Sequence, residues 1–307
     1  MHPDGFQPPG TFFGDCMARI KTLTPRGLAY VGIGFLALMT QIPFVVTIVF
    51  SFLKWNLLYP NRPKVFVGFL NYGKVILDRT FLTAILNTFL FTGSILLGSI
   101  LFGLVLALLL TRDFALRGLA RTLIMAPFLV IVSVSTLVWR NMIFEPTYGF
   151  VNNILKLVHL PLVNPLASQP MLVVVVIGLW EWTPFMTLIL TAALSALPLE
   201  SIEAAQMDGA GYLSRLRYVV IPFLNKYLLI CLLIGAVMIL PLFGEIHLTT
   251  YGGPGTATTN LTYLVYRQAF QRYDVGAASA EGVFAVLMAM IVANFILRSF
   301  VKGSSNE

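Results

Sequence analysis

The sequence predicts an all-α membrane protein whose chain crosses the bilayer six times. Hydrophobic residues make up 58% of its 307 positions, and charged residues make up only 11%. A soluble domain carries roughly 25% charged residues, so most of this chain must lie in lipid. Six long apolar runs, almost free of charge, follow one another between polar intervals. Such runs cross a bilayer as helices, because a helix satisfies its own backbone hydrogen bonds.

Each run is close to the roughly 20 residues that a helix needs to cross the apolar slab. The runs are too long and too apolar for the alternating strands of a membrane β-barrel. Two acidic residues interrupt them, Glu181 in the fourth run and Glu281 near the start of the sixth. The predicted spans are Gly27–Leu53, Thr80–Thr111, Thr122–Trp139, Met171–Leu197, Tyr227–Gly244 and Val275–Leu297.

The intervals outside the spans define the predicted organisation. Residues 1–26 are polar and rich in proline and glycine. No apolar run precedes Gly27, so we expect a loosely ordered tail and not a cleaved signal peptide. Residues 27–79 then form the first helix with its outer loop, residues 80–300 the transmembrane core, and residues 301–307 a C-terminal tail.

The sequence carries none of the common catalytic or metal-binding patterns. Cys16 and Cys231 lie far apart and indicate no disulfide framework. His2, His159 and His247 are scattered, without the spacing of a metal site. No Gly-x4-Gly-Lys-Ser/Thr sequence occurs, so the chain is not expected to bind or hydrolyse ATP itself. We therefore expect no cofactor and no metal, and nucleic acid is not an expected partner for a chain that lies mostly in lipid.

The longest polar interval of the second half, residues 197–224, predicts two short helices. Pro198 suits the first turn of a helix, where its missing N–H costs nothing, and Glu203 lies near the positive end of that helix. Gly209 can end the helix, because glycine accepts positive φ. A second helix is expected to start near Tyr212. Helices this short are marginal alone, so the interval must dock against something.

This interval resembles the EAA loop of the membrane subunits of binding-protein-dependent ABC importers. The resemblance rests on Glu203-Ala204-Ala205, on Gly209 after three further residues, and on Val219-x-Ile221-Pro222, within residues 198–224. In that family the loop is cytoplasmic and fits a cleft in the ATP-hydrolysing subunit. The resemblance implies a type I ABC importer permease fold. The coupling residues that it implies are Glu203, Ala204, Ala205, Asp208, Gly209 and Pro222. An ordinary amphipathic loop between two membrane helices is the alternative interpretation.

The resemblance also implies partners. They are a second, similar permease subunit, two ATP-binding subunits and an extracytoplasmic substrate-binding protein. ATP binding closes the ATPase subunits, and the loop transmits that movement to the spans. The chain itself would then be a transport subunit that performs no covalent chemistry.

Both termini are expected in the cytoplasm, with the chain in the inner membrane, because the EAA loop of the family is cytoplasmic. The basic residues support this orientation only narrowly. The intervals assigned to the cytoplasm hold 11 Lys and Arg residues, and the other intervals hold 9. The most discordant segment is 54–79, which carries five basic residues on the side assigned to the outside: Lys54, Arg62, Lys64, Lys74 and Arg79.

A second segment, residues 245–266, resembles the corresponding segment of the sugar-importing branch of this family. Its Thr-Thr-x-Gly-Gly-Pro-Gly-Thr-Ala sequence, residues 249–257, and its Leu-Val-Tyr sequence, residues 264–266, are most similar to permeases for sugar alcohols such as sorbitol and mannitol. The competing interpretation of a glycine-rich stretch is a phosphate-binding loop. No lysine follows in the position which that loop requires.

The fourth span is the expected substrate path. Ionisable groups inside a span are expensive and by default suggest function. The carboxylate of Glu181 can accept hydrogen bonds from hydroxyl groups, and the rings of Trp182 and Phe185 offer flat faces to the C–H side of a polyol. The resemblance to the maltose-transporting branch implies the same three positions as sugar contacts, together with Phe128 in the third span.

Two further positions depart from that branch. Ile239 and Leu242 are apolar here, where the maltose-transporting branch is polar. We expect Glu245, just beyond the fifth span, to replace the missing polarity. The alternative for Glu181 is a buried acid that ties two helices together. The alternative for Trp180 and Trp182 is anchoring at the membrane interface.

Two other classes of function compete with an importer subunit. An ion-coupled secondary carrier for a small polar solute often shows repeated halves, broken helices and buried acid relays. No internal repeat is evident, and only Glu181 lies deep in a span. An intramembrane enzyme would need paired catalytic residues, which the spans lack. Glu281 is expected to complement the start of the sixth helix.

Overall fold

The computed structural model describes the backbone of residues 25–304 and the side chains of residues 29–299. The regular elements of this part of the chain are helices apart from one small hairpin, which confirms the all-α prediction. Positions 1–24 of the predicted N-terminal tail lie outside the described residues. By their contacts the residues divide into two units, one up to Val49 and one from Phe50 onward.

The elements follow one another with short connections. In chain order they are helix α1 (Pro25–Ser51), strands β1 (Leu53–Lys54) and β2 (Val65–Phe66), and helices α2 (Leu70–Leu77), α3 (Arg79–Leu110), α4 (Arg117–Leu129), α5 (Val132–Val138), α6 (Phe150–Leu157), α7 (Pro165–Ser168), α8 (Pro170–Ser195), α9 (Leu199–Met207), α10 (Tyr212–Arg215), α11 (Ile221–Ile239), α12 (Gly244–Thr249), α13 (Leu261–Tyr266) and α14 (Val275–Ser304). Three π-helical turns, Trp139–Ile143, Leu216–Val220 and Arg267–Gln271, extend α5, join α10 to α11 and extend α13.

Among the described residues, five helices are long and apolar enough to cross a membrane. They are α1, α3, α8, α14 and the continuous run from α10 through α11. The bent pair α4 and α5 makes the sixth crossing if it counts as one span. With the bent pair counted as one span, the described residues have the six crossings that the sequence predicts.

The third predicted span, Thr122–Trp139, is wrong as a single straight helix. Helix α4 and the helix that starts with α5 meet at an angle of 99°. Pro127 lies near the end of α4, where it has no N–H to continue the hydrogen-bonding ladder. Val130 and Ile131 then take extended backbone angles, with ψ of 135° and 130°. Composition alone does not reveal this break, because the residues around it are apolar throughout.

The fifth predicted span, Tyr227–Gly244, is wrong at both ends. The helical run begins at Tyr212, well before the predicted start, and it ends at Ile239. Pro241 follows at once, and a proline shortly after a helix terminus prevents its continuation. A separate short helix, α12, then begins and carries Glu245.

The packing of α3 along α8 forms the centre of the molecule. Gly103 on α3 comes so close to α8 that a Cβ there would lie 2.9 Å from Met186 Cβ and 3.0 Å from the Thr187 nitrogen. Small residues permit such close helix packing in lipid. The surrounding core is fully buried and apolar, with contributions from α3, α8 and α11, and it includes Phe91, Ile95, Met186, Leu190 and Ile239.

Candidate functional site

The interval between α8 and α11 forms the predicted short helix α9, and the next helix starts at Tyr212 as predicted but runs without a break into α11 instead of staying short. Helix α9 ends before Gly209, whose φ of +76° is the left-handed conformation that glycine adopts without strain. The second helix begins at Tyr212. Pro198 is corrected by one position, because it immediately precedes α9 instead of lying in its first turn. Glu203 and Asp208 are both exposed.

One face of this interval is fixed to the spans. Ile202 and Leu216 pack against a buried apolar cluster at the ends of α8 and α11, formed by Ala193, Leu197, Val220 and Leu224. Other positions of the interval carry large apolar side chains that the described chain leaves uncovered. Leu199 is 72% exposed, Met207 89% and Leu213 75%. An exposed apolar surface on an otherwise polar interval marks a binding surface for a partner.

A buried polar cluster joins α8 to α5 and α12. The Ser135 hydroxyl on α5 donates a hydrogen bond to Glu181 Oε1 on α8. The carboxyl group of Glu245 on α12 lies within hydrogen-bonding reach of Glu181. All three side chains are at most 6% exposed. The cluster therefore ties three separate helices together, as the alternative interpretation of Glu181 predicts.

The two carboxyl groups constrain each other chemically. An ionised carboxylate only accepts hydrogen bonds, so Glu181 and Glu245 can bond to each other only when one of them carries a proton. Burial raises the pKa of Glu245, which favours its protonated form. Sequence reasoning missed Ser135, because nothing in its neighbourhood distinguishes it from the exposed Ser133 two residues earlier.

Three of the predicted substrate residues meet beside this cluster. Phe128 on α4 stacks on Phe185 of α8, with ring centres 5.2 Å apart, and meets Trp182 edge-on at 6.2 Å. Trp182 and Phe185 are half-buried, and Phe128 is exposed. Trp180 points elsewhere and contacts Trp139, with ring centres 5.8 Å apart. The bend between α4 and α5 thus leaves an aromatic wall on α4 and α8 and a polar contact on α5.

Other positions singled out in the sequence lie away from that wall. Ile239 is 1% exposed and belongs to the apolar core, as does Leu242 at 5%. Glu281 is the seventh residue of α14, beyond the first turn where a helix dipole acts, so the role expected for it at the helix start is wrong. In the part of the chain that the structure describes, no three His, Cys, Asp or Glu side chains cluster as metal ligands do.

The glycine-rich segment after α12 folds as a tight turn. Gly252 has a φ of +77°, and a Cβ there would collide with the ring of Tyr263. The turn is held to α3 by Asn87, whose Nδ2 lies 3.1, 3.2 and 2.9 Å from the carbonyl oxygens of Thr256, Ala257 and Thr259. Sequence reasoning missed Asn87, which is the one amide side chain in the long apolar helix α3.

The sequence matches a family of known proteins. Residues 99–305 match the family described as "Binding-protein-dependent transport system inner membrane component". The chain belongs to this family. It is therefore a transport component of the inner membrane and not an enzyme.

Individual relatives cover nearly all of the chain. It is 30% identical to a probable ABC transporter permease protein of Sinorhizobium fredii over 94% of both chains. It is 32% identical to the trehalose/maltose transport system permease protein MalF of Thermococcus litoralis, over 78% of this chain and 79% of that one. A bacterial alginate ABC transporter structure matches with a TM-score of 0.74 and 22% identity, over 88% of this chain and 91% of that chain. The last comparison confirms the importer permease fold.

Proposed function

We propose that this chain is a membrane-spanning permease subunit of an ATP-driven importer for a carbohydrate. The observation that carries the proposal is the aromatic wall of Phe128, Trp182 and Phe185 beside the buried acid pair. Aromatic faces bind the C–H side of a sugar, and carboxyl groups bind its hydroxyls. The trehalose/maltose permease of Thermococcus litoralis, 32% identical, supports this substrate class.

The substrate contact requires a movement. Glu181 and Glu245 are 6% and 5% exposed, and Glu181 accepts a hydrogen bond from Ser135. They reach substrate when α5 or α12 moves away from α8, and a movement of α5 breaks the bond between Ser135 and Glu181. Phe128, at 43% exposure, is accessible without that movement. The aromatic wall therefore makes the first contact, and the carboxyl groups make the second.

Within the carbohydrates, we propose a sugar alcohol such as sorbitol or mannitol. The support is the sequence of residues 249–266, with its tight turn at Gly252. The disaccharides named for the Thermococcus relative make trehalose and maltose the competing substrates.

The interval from α9 to α10 is the proposed contact with an ATPase subunit. Its coupling residues are Glu203, Ala204, Ala205, Asp208, Gly209 and Pro222. Ile202 and Leu216 anchor it to two spans, and its exposed apolar side chains are uncovered, so a push from a partner on this interval moves α8 and α11 directly. The remaining proposed partners are a second permease subunit, a second ATPase subunit and an extracytoplasmic binding protein.

Both termini are proposed to lie in the cytoplasm, and cysteine labelling tests this orientation. A cysteine at Gly253 should react with an impermeant reagent added to intact cells, and a cysteine at Ser214 should react only after the membrane is opened. Labelling of Ser214→Cys in intact cells would reverse the orientation.

Uptake into proteoliposomes that contain the whole complex tests the function. Sorbitol, mannitol, trehalose and maltose are supplied with the binding protein, with and without internal ATP. We expect ATP-dependent uptake that survives ionophores, whereas uptake that ionophores abolish would identify an ion-coupled carrier. Trp182→Ala should lower uptake, with Trp180→Ala as the matched control on the same helix. Equal uptake by the two variants would remove the aromatic wall from the substrate path.

A further inference from the structure

A cavity of about 280 Å³ with charged residues in its wall lies outside the proposed substrate path, between the β1–β2 hairpin and the start of α14. Lys54 and Arg62 line it on the hairpin side, and Asp274 lines it on the helix side. The apolar span of α14 begins at Val275, immediately after Asp274. The cavity therefore lies at the level where the lipid tails end and the headgroups begin.

The walls of the cavity are held by backbone hydrogen bonds. The Leu57 N–H donates to the Tyr273 carbonyl at 2.8 Å, and the Gly276 N–H donates to the Trp55 carbonyl at 3.2 Å. The Asn56 side chain accepts from the Leu58 N–H at 2.8 Å, which fixes the loop between the two strands. A site built on such fixed walls loses little freedom when it binds a ligand.

The cavity presents charges of both signs that do not neutralise each other. In the described part of the chain, neither Lys54 nor Arg62 forms a salt bridge. Asp274 uses Oδ1 to cap α14 through the Ala277 N–H, at 3.1 Å, which leaves its other oxygen for a ligand. The site therefore offers two cations and one carboxylate around one cavity.

The aromatic rings of this cavity are already covered, which argues against a sugar as the ligand. The Lys64 ammonium lies 3.8 Å from the centre of the Trp55 ring. The Arg62 guanidinium lies 4.5 Å from the centre of the Tyr59 ring. These cation–π contacts occupy the faces on which a sugar would stack. They also hold the positive charge of Lys64 and Arg62 at the cavity.

The rim of the cavity is apolar and exposed. Leu57 is 49% exposed and Leu58 58%, and both lie in the hairpin loop between the lining residues Asn56 and Tyr59. Two large apolar side chains beside a cavity with charged walls match a ligand with a charged head and an apolar body. A soluble anion would leave this rim in water.

We propose that the cavity binds the headgroup of a phospholipid with an amine, such as phosphatidylethanolamine. Lys54 and Arg62 bind the phosphate, Asp274 binds the ammonium, and the rim contacts the first carbons of the acyl chains. The rule that positively charged loops stay inside does not explain Lys54 and Arg62, which lie on the side assigned to the outside. A phospholipid site explains them, because phosphates line both faces of a bilayer. The proposal holds whichever face the cavity occupies, and it is independent of the transported substrate.

Lipid retention by the purified complex tests the site. The complex is exchanged into nanodiscs of phosphatidylethanolamine, phosphatidylglycerol or phosphatidylcholine and then examined by native mass spectrometry. Lys54→Gln with Arg62→Gln should weaken retention of phosphatidylethanolamine roughly tenfold or more, because two charge-assisted contacts are lost. Lys74→Gln with Arg79→Gln is the matched control, since it removes the same charge from the same segment outside the cavity and should retain the lipid.

Asp274→Asn separates the amine contact from the phosphate contact. Asparagine keeps the helix cap, because it is as good an N-cap residue as aspartate. We expect this variant to lose the preference for phosphatidylethanolamine over phosphatidylglycerol while it still retains phospholipid. A preference identical to that of the wild type would refute the assignment of the amine to Asp274.

Three outcomes would overturn the proposal. Equal lipid retention by the cavity variant and its control would remove the site. Release of the bound lipid by inorganic phosphate alone would identify a site for free anions. A weaker affinity for the binding protein, with lipid retention unchanged, would assign the basic residues to an acidic protein surface.

Discussion

Replacement of Glu181 by leucine and by glutamine separates its role between helices from its role toward substrate. Glutamine keeps an oxygen that accepts from Ser135, and its amide can donate to Glu245. Leucine has a similar volume but makes neither bond. Ser135 then falls back on the Val132 carbonyl, 3.0 Å away, whereas the buried carboxyl group of Glu245 loses its partner.

The expected loss of stability in Glu181→Leu comes from the carboxyl group of Glu245, which is left without a partner. A buried polar group without a partner costs about 1–3 kcal/mol. Glu181→Leu should therefore lower the unfolding free energy by that amount, a roughly 5- to 150-fold shift in the equilibrium. Glu181→Gln should stay within about 1 kcal/mol of the wild type, because both bonds can re-form.

Two measurements on each variant complete the test. Denaturant titration of the purified complex gives the change in unfolding free energy, and uptake divided by assembled complex gives the transport effect. We expect Glu181→Gln to assemble normally and to lose roughly tenfold in uptake at low substrate concentration, since it loses a charge-assisted contact to a hydroxyl. Equal stability of the two variants would refute the tie between helices. Unchanged uptake per complex would remove Glu181 from the substrate path.

Three further perturbations have local readouts. Gly103→Leu should cost about 1–3 kcal/mol of complex stability through overpacking against Met186. Gly93→Leu on the same helix is the control, because a Cβ there meets nothing within 4 Å, and equal yields of the two folded complexes would contradict the prediction. Gly209→Trp should leave the chain inserted but abolish substrate-stimulated ATP hydrolysis, since its bulk can meet only a partner. Gly209→Ala, which shares the strain at positive φ without the bulk, is the control, and full transport by the tryptophan variant would refute the docking role. Asn87→Asp removes the donor for three carbonyls, so hydrogen exchange of residues 252–259 should accelerate; unchanged exchange would show that the turn holds itself.

Helix α9 and the start of the next helix, in the loop between α8 and α11, could be predicted because their signals are local. A glycine that requires positive φ acts within one turn of the chain, and the structure has it at Gly209. The start of the second helix at Tyr212 follows in the same way. The exposure of loop side chains such as Met207 could not be predicted, because it depends on which side of the loop packs against α8 and α11.

The candidate site could be predicted only in part. Phe128, Trp182 and Phe185 were expected together and do meet, because two of them lie on one face of α8 and the third on its neighbour α4. Ser135 could not be found, since its bond to Glu181 joins positions 46 residues apart. No residue near Ser135 in the sequence indicates a contact with a position so far along the chain.

The sequence by itself determined the membrane class, the number of apolar segments and the family resemblance. Transfer into lipid adds up residue by residue along the chain, so composition is enough to show it. Only the tertiary structure decided the 99° angle between α4 and α5 and the partners of Glu181. These depend on the backbone angles at Val130 and Ile131 and on how the helices then cross. The free energy of such contacts belongs to pairs of residues far apart in the chain, so no single segment contains it.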